Sequence, residues 1–166
     1  MSPRAAWRLE QLGFQPVYDY VAGKADWLAA GLPTEGPGSA APRAGGFARR
    51  DVATCSLTDP VVVAGRRVSS SDWTRAVVVN HQRVVLGLLD EETLAQPGGA
   101  QTTAEAVMRV GPTTVRAHED KNALVQRMDA RHVPAVLVTD PDGRLLGVFI
   151  RGDAERVLSD RPSTEP

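Results

Sequence analysis

The 166-residue sequence contains a single cysteine, Cys55, which excludes an intramolecular disulfide and a cysteine-based zinc site. A lone thiol fits a reducing compartment. Lysine is nearly missing: the 19 basic residues are 17 Arg and 2 Lys, scattered among 20 acids for a formal net charge of −1. That leaves no basic stripe to follow a phosphate backbone, and nucleic acid is not the expected partner. No apolar run approaches the roughly 18 residues of a membrane span. The start, Met1-Ser2-Pro3-Arg4, lacks the apolar stretch of about 7–15 residues found in a secretory signal. These absences predict a cytoplasmic protein that contacts neither membrane nor nucleic acid. His81, His118 and His132 fall in a turn, at a helix start and at a helix end, with no metal-ligand spacing. No nucleophile and base stand together either, so the expectation is no metal, no catalytic residue and no enzyme.

What is present is enough apolar material for a real core, 42% of residues. The stretch 34–50 (TEGPGSAAPRAGGFARR) is rich in Gly, Pro and Ala and reads as a flexible linker. It divides an N-terminal piece, 1–33, from the remainder. Residues 159–166 (SDRPSTEP) have the composition of a disordered tail.

Between linker and tail the chain repeats itself at an offset of 60 residues. Thr54 falls on Thr114, Arg67 on Arg127 and Gly87 on Gly147, while Ala76-Val77-Val78-Val79 falls on Val136-Leu137-Val138-Thr139. The second copy, 99–158, reads as a strand at Thr113 to Val115, a helix opened by His118-Glu119-Asp120, a hairpin of Val136 to Val138 with Leu145 to Ile150 around Pro141-Asp142-Gly143, and a closing helix from Asp153. The first copy, 51–98, follows the same order, although three valines and Gly65 weaken its Pro60 to Val68 helix. The fold class is α/β, a tandem pair of βαββα units.

The segments Val110-Gly111-Pro112-Thr113-Thr114-Val115, His132-Val133-Pro134-Ala135-Val136 and Gly147-Val148-Phe149-Ile150-Arg151-Gly152-Asp153 carry a resemblance to the CBS domain, covering about Arg50 to Leu158. The resemblance implies two units related by a pseudo-two-fold axis, with clefts that take adenosine-containing ligands such as AMP, ADP, ATP or S-adenosylmethionine. It also implies a regulatory role toward a protein partner, and a homodimer formed through exposed helices, for which Asp120 to Arg131 is the candidate. Carried onto the second copy, the ligand-binding residues are Thr113, Thr114, Val133, Pro134 and Asp153, with Ile150 where the family has Thr or Ser. In the first copy Asp90 and Thr93 occupy the Thr and Asp positions, and Trp73-Thr74 replaces the hydrophobic-Pro pair. Asp90 would repel a phosphate, so at most one phosphorylated nucleotide per chain is expected, in the second cleft. Asp153 equally suits the start of a helix, and Thr113 and Thr114 equally suit a strand. The alternative function therefore stays open: a structural or dimerisation module with ligand-free clefts.

The N-terminal piece resembles the end of a rhodanese domain, a helix-strand-helix fragment. Pro3 to Phe14 matches the helix after that family's catalytic loop, Val17 to Tyr20 its last strand, and Gly23 to Pro33 its closing segment, with Trp7 and Trp27 as core. That family's cysteine would stand just before Ser2, where Met1 stands, so the resemblance implies a truncated remnant without sulfurtransferase activity.

Overall fold

The structure is a computed structural model and describes residues 3–18, 20–36, 41–69, 73–95 and 101–159. Its elements run α1 (Pro3–Gln11), α2 (Gly23–Ala29), a 3-10 turn (Ala44–Phe47), β1 (Thr54–Cys55), α3 (Val61–Val68), β2 (Ala76–Val79), β3 (Val85–Leu89), α4 (Glu91–Ala95), α5 (Ala104–Val107), β4 (Arg109–Val110), β5 (Thr114–Arg116), α6 (Lys121–Ala130), β6 (Ala135–Thr139), β7 (Leu145–Ile150) and α7 (Arg151–Ser159). Each copy thus has the expected order. α3 forms despite its valines because Val61 and Ala64 are buried, so packing outweighs propensity.

Each copy makes one sheet. β1 pairs parallel with β2 and β2 antiparallel with β3, and in the second copy β5 pairs parallel with β6 and β6 antiparallel with β7. Strand β2 is buried at every residue, as a strand covered on both faces must be. One face of each sheet packs on its own helices. The other faces its twin through a core of Trp73, Val77, Leu88, Leu137, Leu145 and Val148.

The stretch expected to be a flexible linker is not one in its second half. Pro42 to Arg50 is the lead-in of the first copy, and it is built onto the second. Ala44 N–H donates to the Glu119 carbonyl, Gly45 N–H to Ala117 and Lys121 N–H to Pro42, each at 2.9 Å. Arg49 bonds Val148 in both directions, at 2.8 and 2.9 Å, and so supplies a fourth edge to the second sheet. The second copy returns the contact 60 residues later: Ala104 N–H donates to Asp59, Glu105 to Leu57 and Val61 to Thr102, while β4 pairs with β3. The lead-ins are exchanged. Small residues were mistaken for linker composition because the exchange requires them. A Cβ added to Gly45 would stand 2.8 Å from that of Ala117, and Ala44 is fully buried.

The two hairpin turns meet on the same pseudo-two-fold axis. Val85 N–H donates to the Gly143 carbonyl and Leu145 N–H to Arg83, with Gly143 and Arg83 both at positive φ. Main-chain bonds therefore join the sheets as well as apolar contact.

Among the described residues Lys121 is one of the largest fully buried side chains, 1% exposed. Its Nζ donates to the Ala154 carbonyl at 3.2 Å and lies 4.6 Å from the centre of the Phe47 ring. An ammonium is tolerated there because its charge has a carbonyl and a π face to meet.

The N-terminal piece departs from expectation. Helices α1 and α2 form, but among the described residues no strand lies between them. Trp7 is 60% exposed and is not core, and Phe14, Tyr18 and Val21 are exposed with it. Trp27 does pack, edge-on against Tyr20 at 5.3 Å, and its Nε1 donates to the Pro33 carbonyl. The tail expected at 159–166 lies outside the described residues beyond Ser159, which ends α7.

Candidate functional site

Parallel pairing of β5 with β6, and the antiparallel return of β7, bring the ends of three segments to one edge of the second sheet. Ala135 stands opposite Ile150, and Arg151 N–H donates to the Pro134 carbonyl at 3.0 Å. A cavity of about 220 Å³ opens at this edge. Thr113, Val133 and Pro134 line it from the second copy. Trp73, Arg75 and Leu88 line it from the first, and Arg109 and Pro112 from the crossing lead-in.

The expected residues do not all converge. Thr114 faces a second cavity of about 300 Å³ between β5, α6 and β6, which Thr113 and Val133 also border along with Met128, Arg127 and Arg131. Asp153 lines neither. It lies in the first turn of α7, where the helix dipole favours a carboxylate, and accepts from Arg49 Nε at 2.6 Å. Three of the five residues meet at the first cavity, and two stand apart.

Trp73, 9% exposed, is built into the core between the sheets. Thr93 lies on the short helix α4 and touches neither cavity.

Asp90 behaves differently from the isolated repulsive charge that the sequence suggested. Its carboxylate is bracketed by two arginines, Arg75 Nε at 3.5 Å and Arg109 Nε at 3.2 Å. Both arginines line the cavity. The group carries two positive charges against one negative, so its net field favours an anion. Sequence reasoning missed both arginines, because Arg75 aligns with Ala135 and Arg109 reaches Asp90 only through the lead-in exchange.

His132 was read as a boundary residue and also lines this cavity. It ends α6 in a left-handed conformation, φ 53°, with its N–H on the Asp129 carbonyl and that of Val133 on Met128. Glycine is the usual residue at that position because a side chain is strained there. His81 lies in the exposed β2–β3 turn, and among the described residues no group of His, Cys, Asp and Glu could hold a metal. Cys55 is a buried thiol of the first core, and burial, with Asp59 adding to it, pushes its pKa up to about 11. Among the described residues no helix is long and apolar enough to cross a membrane.

Residues 104–160 match the family model of the CBS domain. No curated protein matches the chain in sequence. Among solved structures, the CBS domains of a transcriptional regulator from Streptococcus pneumoniae are similar, with a TM-score of 0.62 and 24% identity over 69% of this chain and 98% of that one. The CBS-pair protein CBSX2 from Arabidopsis thaliana gives 0.61 and 16%, over 72% and 96%, and has also been solved with AMP. The cytosolic domain of the Mg2+ channel MgtE in complex with ATP gives 0.62 and 20%, over 69% of this chain and 48% of that one, so this chain spans about half of it. The fold is that of a CBS pair, with the second copy the one the family model matches. None of these similarities supports the rhodanese resemblance of 1–33.

Proposed function

We propose that this chain is a non-catalytic regulatory module that binds an adenosine-containing ligand at the cavity between its two copies and passes the resulting change to a protein partner. The observation that carries the reading is the lining of that cavity: Thr113, Val133 and Pro134 on an apolar floor, with cationic groups at the rim. Aromatic and aliphatic walls suit a nucleobase, and hydroxyl and guanidinium donors suit ribose and phosphate oxygens. At about 220 Å³ the space is below the roughly 300 Å³ at which small-molecule pockets begin, so part of the ligand would rest on the open rim. The AMP and ATP complexes of two proteins of this fold add support.

The test is a thermal-shift and calorimetry series with AMP, ADP, ATP, S-adenosylmethionine and NAD, since a ligand that binds only the folded chain raises its melting temperature. No shift with any of them would refute the reading. Asp153→Ala asks whether that carboxylate holds the ribose. Exchanging its Arg49 partner for a ligand diol should matter, and the variant is expected to lose about 1–3 kcal/mol of affinity. Undiminished affinity would remove Asp153 from the site.

A second reading is a structural or dimerisation module with ligand-free clefts. Two observations favour it: Trp73 is packed into the core between the sheets, and Arg49 already engages Asp153. A homodimer is proposed under either reading, and light scattering at tens of micromolar distinguishes it from a monomer.

A further inference from the structure

The notable feature of the Arg75–Asp90–Arg109 group is which nitrogens it uses. Both arginines approach Asp90 with Nε, Arg109 at 3.2 Å and Arg75 at 3.5 Å. Nε is one donor of a guanidinium that carries five. Among the described residues the terminal Nη groups of both side chains make no hydrogen bond, and both side chains line the 220 Å³ cavity. Their exposures, 35% and 58%, leave them open to solvent. Among the described residues none that lines the cavity is acidic, and His132 and Thr113 also border it.

We infer that Arg75 and Arg109 form a phosphate clamp, with Asp90 as the residue that positions both guanidiniums by their Nε atoms. A planar guanidinium presents paired donors that match two phosphate oxygens, and two of them held by one carboxylate form a preorganised receptor. The ligand class is a phosphate ester, with its organic part lying against Val133 and Pro134. Sixty residues on, Ala135 and Ile150 replace Arg75 and Asp90, and Arg49, in the place of Arg109, is committed to Asp153. Among the described residues the two copies therefore form one clamp. The inference rests on the adenosyl reading for the organic part only, and narrows it: AMP, ADP or ATP fits the clamp, whereas S-adenosylmethionine presents a sulfonium cation and no phosphate.

The test uses the full chain and three probes, ADP, adenosine and inorganic pyrophosphate, titrated by calorimetry into wild type, Arg75→Gln and Arg109→Gln. ADP is expected to bind at least tenfold more tightly than adenosine, pyrophosphate to compete with ADP, and each variant to lose at least tenfold for ADP with adenosine unchanged. Equal affinity for ADP and adenosine, or ADP binding untouched by both substitutions, overturns the clamp and leaves the adenosyl reading standing. Arginine-dependent binding of pyrophosphate with ADP no tighter upholds the clamp and removes the adenosyl reading. No binding of any probe removes both. Should a variant misfold, the wild type answers alone: ADP and pyrophosphate, but not adenosine, are expected to protect Arg75 and Arg109 from phenylglyoxal, read by peptide mass. Equal modification with and without ADP would overturn the inference.

Discussion

Gly87 and Gly147 occupy equivalent places, each at the centre of a third strand where the other copy's lead-in crosses, and alanine at the two should have unequal effects. A Cβ on Gly147 would lie closer than 3.0 Å to the carbonyl oxygen of Arg49 and at 3.0 Å from its carbon. That carbonyl accepts from Val148 N–H at 2.9 Å, so the backbone cannot withdraw without giving up the bond and weakening its 2.8 Å return. Two backbone hydrogen bonds at about 0.5–1.5 kcal/mol each, with overpacking of about 1–3 kcal/mol, give an expected loss of about 2–6 kcal/mol for Gly147→Ala. A Cβ on Gly87 instead meets Met108 side-chain atoms, Cγ at 2.9 Å among them. A methionine can turn away, so Gly87→Ala should cost about 1 kcal/mol, and Met108→Ala in the same chain should relieve the clash. Urea unfolding followed by circular dichroism measures all three variants. Equal losses at the two glycines would refute the claim that backbone crosses at one and a flexible side chain at the other.

Cys55 should resist dithionitrobenzoate in the native state, because with a pKa of about 11 the thiolate at pH 8 is roughly a thousandth of the population; one equivalent should react promptly in denaturant. Since the unfolded thiol ionises near 9 and the folded one near 11, the folded state holds the proton longer, and this contribution to stability is complete below pH 9 and lost between 9 and 11. Fast native labelling at pH 8 would contradict the burial. Lys121→Met should stay within about 1 kcal/mol of wild type by keeping the volume and discarding a buried charge, whereas Lys121→Ala should lose about 2–4 kcal/mol through the cavity it leaves. Equal losses by urea midpoint would mean that the ammonium contacts, and not the packing, hold Phe47 and α7 in place.

Much of the fold was legible because the repeat is written in side chains: the apolar runs Ala76 to Val79 in β2 and Ala135 to Val138 in β6, and glycines at 87 and 147. The lead-ins were not, because their contacts are made by backbone groups. Ala44 and Ala104 are the one identity among Pro42, Ala44 and Gly45 set against Thr102, Ala104 and Glu105, so the register continues while the letters change. A run such as Ala-Gly-Gly is composed alike whether it is loose or pressed against a neighbour. The site was half legible for a related reason. Thr113, Val133 and Pro134 are close in the second copy's own sheet and were found together, but Asp90 was read as a lone charge when its partners lie 15 residues before and 19 after it. Sequence position does not predict such an ion group, because sheet edges create it.

The exchange of lead-ins also bears on how such a chain could be divided. Each sheet obtains its outermost edge from the other copy, which makes the tandem an intramolecular domain swap. A single copy cut free would expose an unpaired edge at Val148 or Gly87, together with a lead-in that has lost its seat. Two such fragments are complementary to one another, so either half alone should recover its missing edge by pairing with a second molecule. Covalent tandem and two-chain assembly are then alternative ways of closing the same hydrogen bonds, and the connection between the copies serves to set their local concentration.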